Sequence, residues 1–174
     1  MHPRRIISLL FLLVLALAAT GVAADSSTLG DKVVAFCKDH LGQQVGDGQC
    51  AALAAQALKA AGAKVRAGPD SPDKGDYVWG RQICLLEATP DGLKVTGDFS
   101  QVLPGDIMQF RNTKFITAHF DHHTAVIEQI VNPDKRKVQV LEQNIGGKTF
   151  VIEAFLPLNN LQEGWIRIYR PLPR

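Results

Sequence analysis

The feature that most constrains this chain is an order of segments. Two stretches with helical spacing come first, and a train of short β-branched segments follows. In STLGDKVVAFCKDHLG the residues Val33, Val34, Cys37 and Leu41 recur at helical intervals, and Gly42 offers a C-terminal stop. In GDGQCAALAAQALKAAG, Gly46 to Gly62, the residues Leu53, Ala54, Ala57, Leu58 and Ala61 form one stripe, with Asp47 as the expected N-cap. A loop dense in Pro, Gly and Asp follows, GPDSPDKGDYVWG. Then DIMQF, HTAVIEQIV, KVQVLEQN, TFVIEAFL and GWIRIYRP are separated by turn signals such as NPDKRK and GGK. Helices before an antiparallel meander predict an α+β fold, its helices packed on a mostly antiparallel sheet of about five to six strands.

The start of the chain has a different character. MHPRR is basic, IISLLFLLVLALAA is apolar, and small residues at Val22 and Ala24 precede Asp25. This is the form of a cleaved secretory signal over residues 1–24, which leaves a single domain over 25–174 and predicts an exported protein: periplasmic, surface-bound or secreted. The apolar run is shorter than the about 20 residues of a membrane helix, so no span is expected after cleavage. Arg4 and Arg5 account for the formal charge of +2, and the remainder balances. A neutral domain lacks the positive surface that phosphate backbones need, which argues against nucleic acid as a partner. A monomer is expected.

There are three cysteines, Cys37, Cys50 and Cys84. Thiols pair in oxidising compartments, and an odd number leaves one over. If Cys50 is free, Cys37 and Cys84 are the natural disulfide pair; two free buried thiols are the other reading.

Cys50 sits between a glycine-rich turn and an alanine-rich helix. A thiolate at a helix N-terminus is favoured by free N–H groups and by the helix dipole, and the thiolate is the form that attacks carbonyls. Gly48 lets a substrate approach the backbone, and the same turn can aim an N–H at an oxyanion. Burial or a disulfide explains a cysteine there equally well. A nucleophile needs a base, and AHFDHHTAVIEQI supplies His123 at the mouth of an apolar strand. His122 points to the opposite face, and His119 lies in the preceding loop. A base needs an orienting partner: Glu142 and Asn144, two apart in VLEQN, share a face, and either can accept the Nδ1–H of His123. Of the two tryptophans Trp79, in a polar loop, is the better candidate for a substrate contact, with core packing the stronger reading. HFDHH fits no zinc-ligand spacing, so no metal is expected.

GDGQC, LPGDIMQF, HHTAVI and VLEQN, in this order, resemble the papain-like amidase superfamily that contains the CHAP and NlpC/P60 domains. YVWG, the PGDI–QF stretch, HTAVI, the E-Q-N triplet and a terminal YRP are similar to the cysteine-proteinase-fold domain of fungal actin-patch proteins. The resemblance covers nearly all of residues 25–174. It implies Cys50 as nucleophile, His123 as general base, Glu142 or Asn144 as its orienter, and Gln49 at the oxyanion site. It implies no cofactor, and an amide substrate such as peptidoglycan. A silent binding domain on the same scaffold is the alternative. Two departures bear on substrate class: His122 stands where a small residue commonly precedes the histidine, and no aromatic residue follows Cys50 closely.

Overall fold

The computed structural model describes residues 28–65 and 76–174. The leader-like residues 1–24 and most of the loop from Gly68 to Gly80 lie outside them. Helix α1, Leu29–Asp39, begins with a capping box, in which the Thr28 hydroxyl accepts the Asp31 N–H and the Asp31 carboxylate accepts the Thr28 N–H. Helix α2 is Cys50–Ala60, and its N-cap is Gln49 rather than the expected Asp47. The Asp47 carboxylate instead accepts the Gln49 N–H at 3.0 Å. That side-chain turn holds the backbone out of the helix until Cys50.

The strands are β1 Arg81–Thr89, β2 Gly92–Gly97, β3 Ile107–Lys114, β4 His119–Asn132, β5 Lys137–Glu142, β6 Ile152–Pro157 and β7 Glu163–Arg170. They form one seven-stranded sheet in the order β2-β1-β7-β3-β4-β5-β6, with every pairing antiparallel. The α+β class is as expected, with more strands than the sequence suggested. The unforeseen hairpin is RQICLLEATPDGLKVTG, where Pro90 and Asp91 turn the chain between paired Thr89 and Gly92. Nor is the sheet a simple meander, because β7 inserts between β1 and β3. An ion pair helps seat it: the Arg170 guanidinium binds both oxygens of the buried Asp106 carboxylate, which also accepts the Leu103 N–H at 2.9 Å. The PGD and YRP stretches therefore meet in space.

Both faces of the sheet are buried. On one, Val33, Leu53, Ala57 and Leu58 of the helices pack against Ile107, Val126, Leu141 and Tyr169. On the other, Phe99, Val102, Leu158 and Leu161, on the segments between strands, cover Met108, Phe110, Ile127, Val140 and Ile168. The alanines of α2 let its backbone lie close to the sheet. Gly30 does the same for α1: a Cβ there would come within 2.4 Å of the Pro104 carbonyl oxygen.

The expected disulfide does not form. Cys37 belongs to the helix-side core and Cys84 to the opposite one, and both are free and buried. The sheet separates them beyond the reach of a bridge. Burial pushes the Cys37 thiol up to about 12 and the Cys84 thiol up to about 11. Thiols held protonated in this way are inert.

Candidate active site

The site lies where the start of α2 meets β4 and β5. The turn before Cys50 follows a path set by Gly46 and Gly48, whose φ angles are 60° and 81°. A Cβ on Gly48 would come 2.9 Å from the Thr149 Cβ. The glycine thus shapes the approach to Cys50, a role that its place as a candidate substrate contact did not include. Cys50 is half-buried and unbridged.

His123 lies within β4, which starts earlier than expected, at His119. Its side chain is 3% exposed, and Nε2 lies 2.9 Å from Glu142 Oε2. The expected contact was through Nδ1; with Nε2 engaged, Nδ1 is the nitrogen left for the Cys50 thiol. Phe120 stacks on the imidazole at 4.9 Å, and Phe110 lies tilted against it at 5.6 Å. These rings keep water from the pair and fix the plane of the imidazole.

Glu142, not Asn144, holds His123. β5 runs alongside β4 with Val126 opposite Leu141. The strand ends at Glu142, which reaches His123 diagonally, as long side chains on neighbouring strands can. Asn144 has left the strand in the left-handed region, φ 66°. Its Nδ2 donates to Gln49 Oε1 at 3.0 Å. A hairpin at Gly146 and Gly147 then returns the chain.

Electrostatics couple the cysteine and the histidine. Burial pushes the Cys50 thiol up, but the hydrogen bond and charge of His123 and the backbone N–H groups of Thr124 and Ala51 outweigh it, so its pKa lies below the ordinary 9.0. Burial works against a charged His123, but its contacts with Cys50 and Glu142 prevail and raise it to about 9. Each group thus favours the charged form of the other, a thiolate beside an imidazolium.

Beside the pair opens a cavity of about 390 Å³ walled by Asp47, Ala51, Ala55, Tyr77, His122 and Asn144. His122, expected to point away from the site, also lines this cavity at the sheet's end, within 2.7 Å of the Arg111 guanidinium, while buried Asp76 lies 3.5 Å from each of them. His119 pairs with Asp121 at the surface, so the HFDHH run is divided among three environments. Trp79 does not line the cavity. It is fully buried, and its indole N–H donates to Gln109 Oε1, which also accepts the Thr124 hydroxyl. This is the core packing that the sequence favoured for it; the substrate contact for which it was also a candidate is not made, and its place is a supporting one beneath the site. Gln143, Gln109, Thr124 and Tyr77 also shape the site. The sequence offered only one signal for any of them, the position of Gln143 between two candidate polar residues.

Residues 17–174 match the family model described as the AIM3/BBC1 cysteine proteinase-fold domain. The chain belongs to that family. The AIM3/BBC1 domain is similar to "Altered inheritance of mitochondria protein 3" of Debaryomyces hansenii, at 26% identity over 164 residues. The match takes in 87% of this chain but 17% of that relative. The AIM3/BBC1 domain is also similar to Ly7917 in two crystal structures, one of them with the hydrolyzing product of MDP, at TM-scores of 0.49 and 0.47 and identities of 18% and 19%. Each alignment covers 83% of this chain and 63% of Ly7917. That likeness is too distant to bear on function. Membership in the AIM3/BBC1 family overturns the expectation of export. The curated relative is named for the inheritance of mitochondria, a process inside the cell.

Proposed function

We propose that this domain is a cysteine-dependent amide hydrolase acting on a peptide or protein substrate inside the cell. One observation carries the reading: the buried His123 stands between the Cys50 thiol and the Glu142 carboxylate. The Cys50 thiolate attacks a carbonyl carbon, forming a C–S bond and a tetrahedral oxyanion. The Cys50 N–H at the start of α2 and the Gln49 amide donate to that oxygen. The oxyanion collapses, the C–N bond breaks, and the His123 imidazolium gives its proton to the departing amine. Neutral His123 then takes a proton from water as the water attacks the thioester. The acid leaves, and the thiolate and imidazolium are restored. A cavity of about 390 Å³ suits one or two side chains of an extended peptide.

Incubation with a library of fluorogenic peptide amides tests the reading. Turnover that is lost in both Cys50→Ala and His123→Ala supports it; turnover that survives Cys50→Ala rejects it. The second reading is a catalytically silent binding domain. It is favoured by the family's description, which names a fold rather than a reaction. Peptide binding to the cavity with no turnover, unchanged in Cys50→Ala, would select it.

A further inference from the structure

The Glu142-Gln143-Asn144 segment does more than carry the partner of His123. Gln143 is fully buried, and its side chain turns to the segment before α2. Its Oε1 accepts the Val45 N–H at 3.1 Å. Its Nε2 donates to the Val45 carbonyl at 2.9 Å and to the Gln49 carbonyl at 2.7 Å. One amide thus spans both ends of the turn that delivers Cys50. That turn has no regular structure of its own, and α2 receives no side-chain cap bond from its N-cap residue, Gln49. The turn has bonds of its own, from the Gly48 N–H to the Val45 carbonyl at 3.2 Å and from the Gln49 N–H to the Asp47 carboxylate at 3.0 Å, and Gln143 is the side chain that ties both of its ends to the segment after β5.

We infer that Gln143 is a positioning residue that latches the nucleophile-bearing turn onto β5, beside the carboxylate that orients the base. The inference rests on the Cys50–His123 reading above. Consecutive residues of one short segment then have separate tasks. Glu142 fixes the ring of His123, Gln143 fixes the backbone before Cys50, and Asn144 fixes the Gln49 amide. Because they are adjacent in the chain, the placement of the base and of the nucleophile is tied to a single strand end. A glutamine suits this task because its amide offers an acceptor and two donors in one plane. An apolar side chain of the same size would fill the space but leave the buried Val45 N–H without its acceptor, while the Val45 and Gln49 carbonyls kept only the Gly48 and Ala52 N–H groups.

The test is iodoacetamide alkylation of Cys50 across pH, read by mass spectrometry, in wild type, His123→Ala and Gln143→Met. The expected wild-type result is a labelling limb below the ordinary thiol range of about 8.5 that vanishes in His123→Ala. In Gln143→Met the labelling rate at pH 6 is expected to fall at least tenfold, with the limb moving toward that ordinary range while Cys37 and Cys84 stay unlabelled. A Gln143→Met limb that matches wild type overturns the latch and leaves the Cys–His pair standing. If Cys37 becomes labelled in Gln143→Met, the variant has unfolded, and amide exchange of Val45 in the wild type decides instead. A slowly exchanging Val45 N–H supports the latch, and one that exchanges as freely as an open turn overturns it. A wild-type limb that persists in His123→Ala rejects the Cys–His reading itself, and with it the inference.

Discussion

Glu142 is the residue whose removal tells most about the pair. It is buried beside His123 and helps hold the imidazole in its charged form. Glu142→Gln keeps the size and a hydrogen-bonding oxygen but removes the charge. The expected outcome is a fall of the His123 pKa from about 9 toward its ordinary 6.5, followed over an NMR titration. Cys50 alkylation at pH 7 should slow by about tenfold or more, one factor of ten for each unit by which the thiol rises. The same pair predicts that two pH profiles separate. Alkylation needs only the thiolate, so it rises below the ordinary thiol range and stays high at alkaline pH. Turnover also needs the imidazolium proton for the leaving amine, so it declines as pH rises through about 9. Parallel profiles on the alkaline side would remove His123 as the general acid.

At the scale of elements, the turn before α2 and the seat of β7 carry the testable strain and charge. Gly48→Ala places a Cβ in the left-handed region and against Thr149. A cost of about 1–2 kcal/mol is expected in urea unfolding, together with slower Cys50 alkylation. Asp106→Ala leaves the Arg170 guanidinium without its buried partner and the Leu103 N–H without an acceptor. Breaking such a pair costs about 3 kcal/mol, to be read in the same measurement. These elements also mark what the sequence could disclose. α2 was legible because its stripe and its flanking glycines are local signals. The place of His123 was legible because it opens the apolar run TAVIEQI, whereas alternation did not keep His122 away from the same cavity. The choice between Glu142 and Asn144 was not, because it depends on which residue is last in β5, and the Asn144 φ that ends the strand leaves no mark in composition. β1 and β2 were hidden because RQICLLEAT lacks clean alternation. The insertion of β7 could not be read because pairing between distant strands has no local signature.

The whole molecule is organised by a sheet with a core on each side. Cys37 reports on one core and Cys84 on the other. If β7 joins the sheet into one cooperative unit, both thiols should become reactive at the same urea concentration. Different midpoints would divide the domain into two separately unfolding layers. The position of β7 also has a consequence during synthesis. As the chain leaves the ribosome, the β1–β2 hairpin and the β3–β6 group emerge before the strand that joins them. Each group has an unpaired edge until β7 arrives, at β1 and at β3, the kind of edge that pairs with neighbouring chains. A pause or premature stop before Glu163 would therefore release two open sheets rather than a slightly shortened domain, with Asp106 buried or exposed but without Arg170 to neutralise it. Completion of this fold waits on its final strand, and the nascent chain is most in need of a chaperone just before that strand appears.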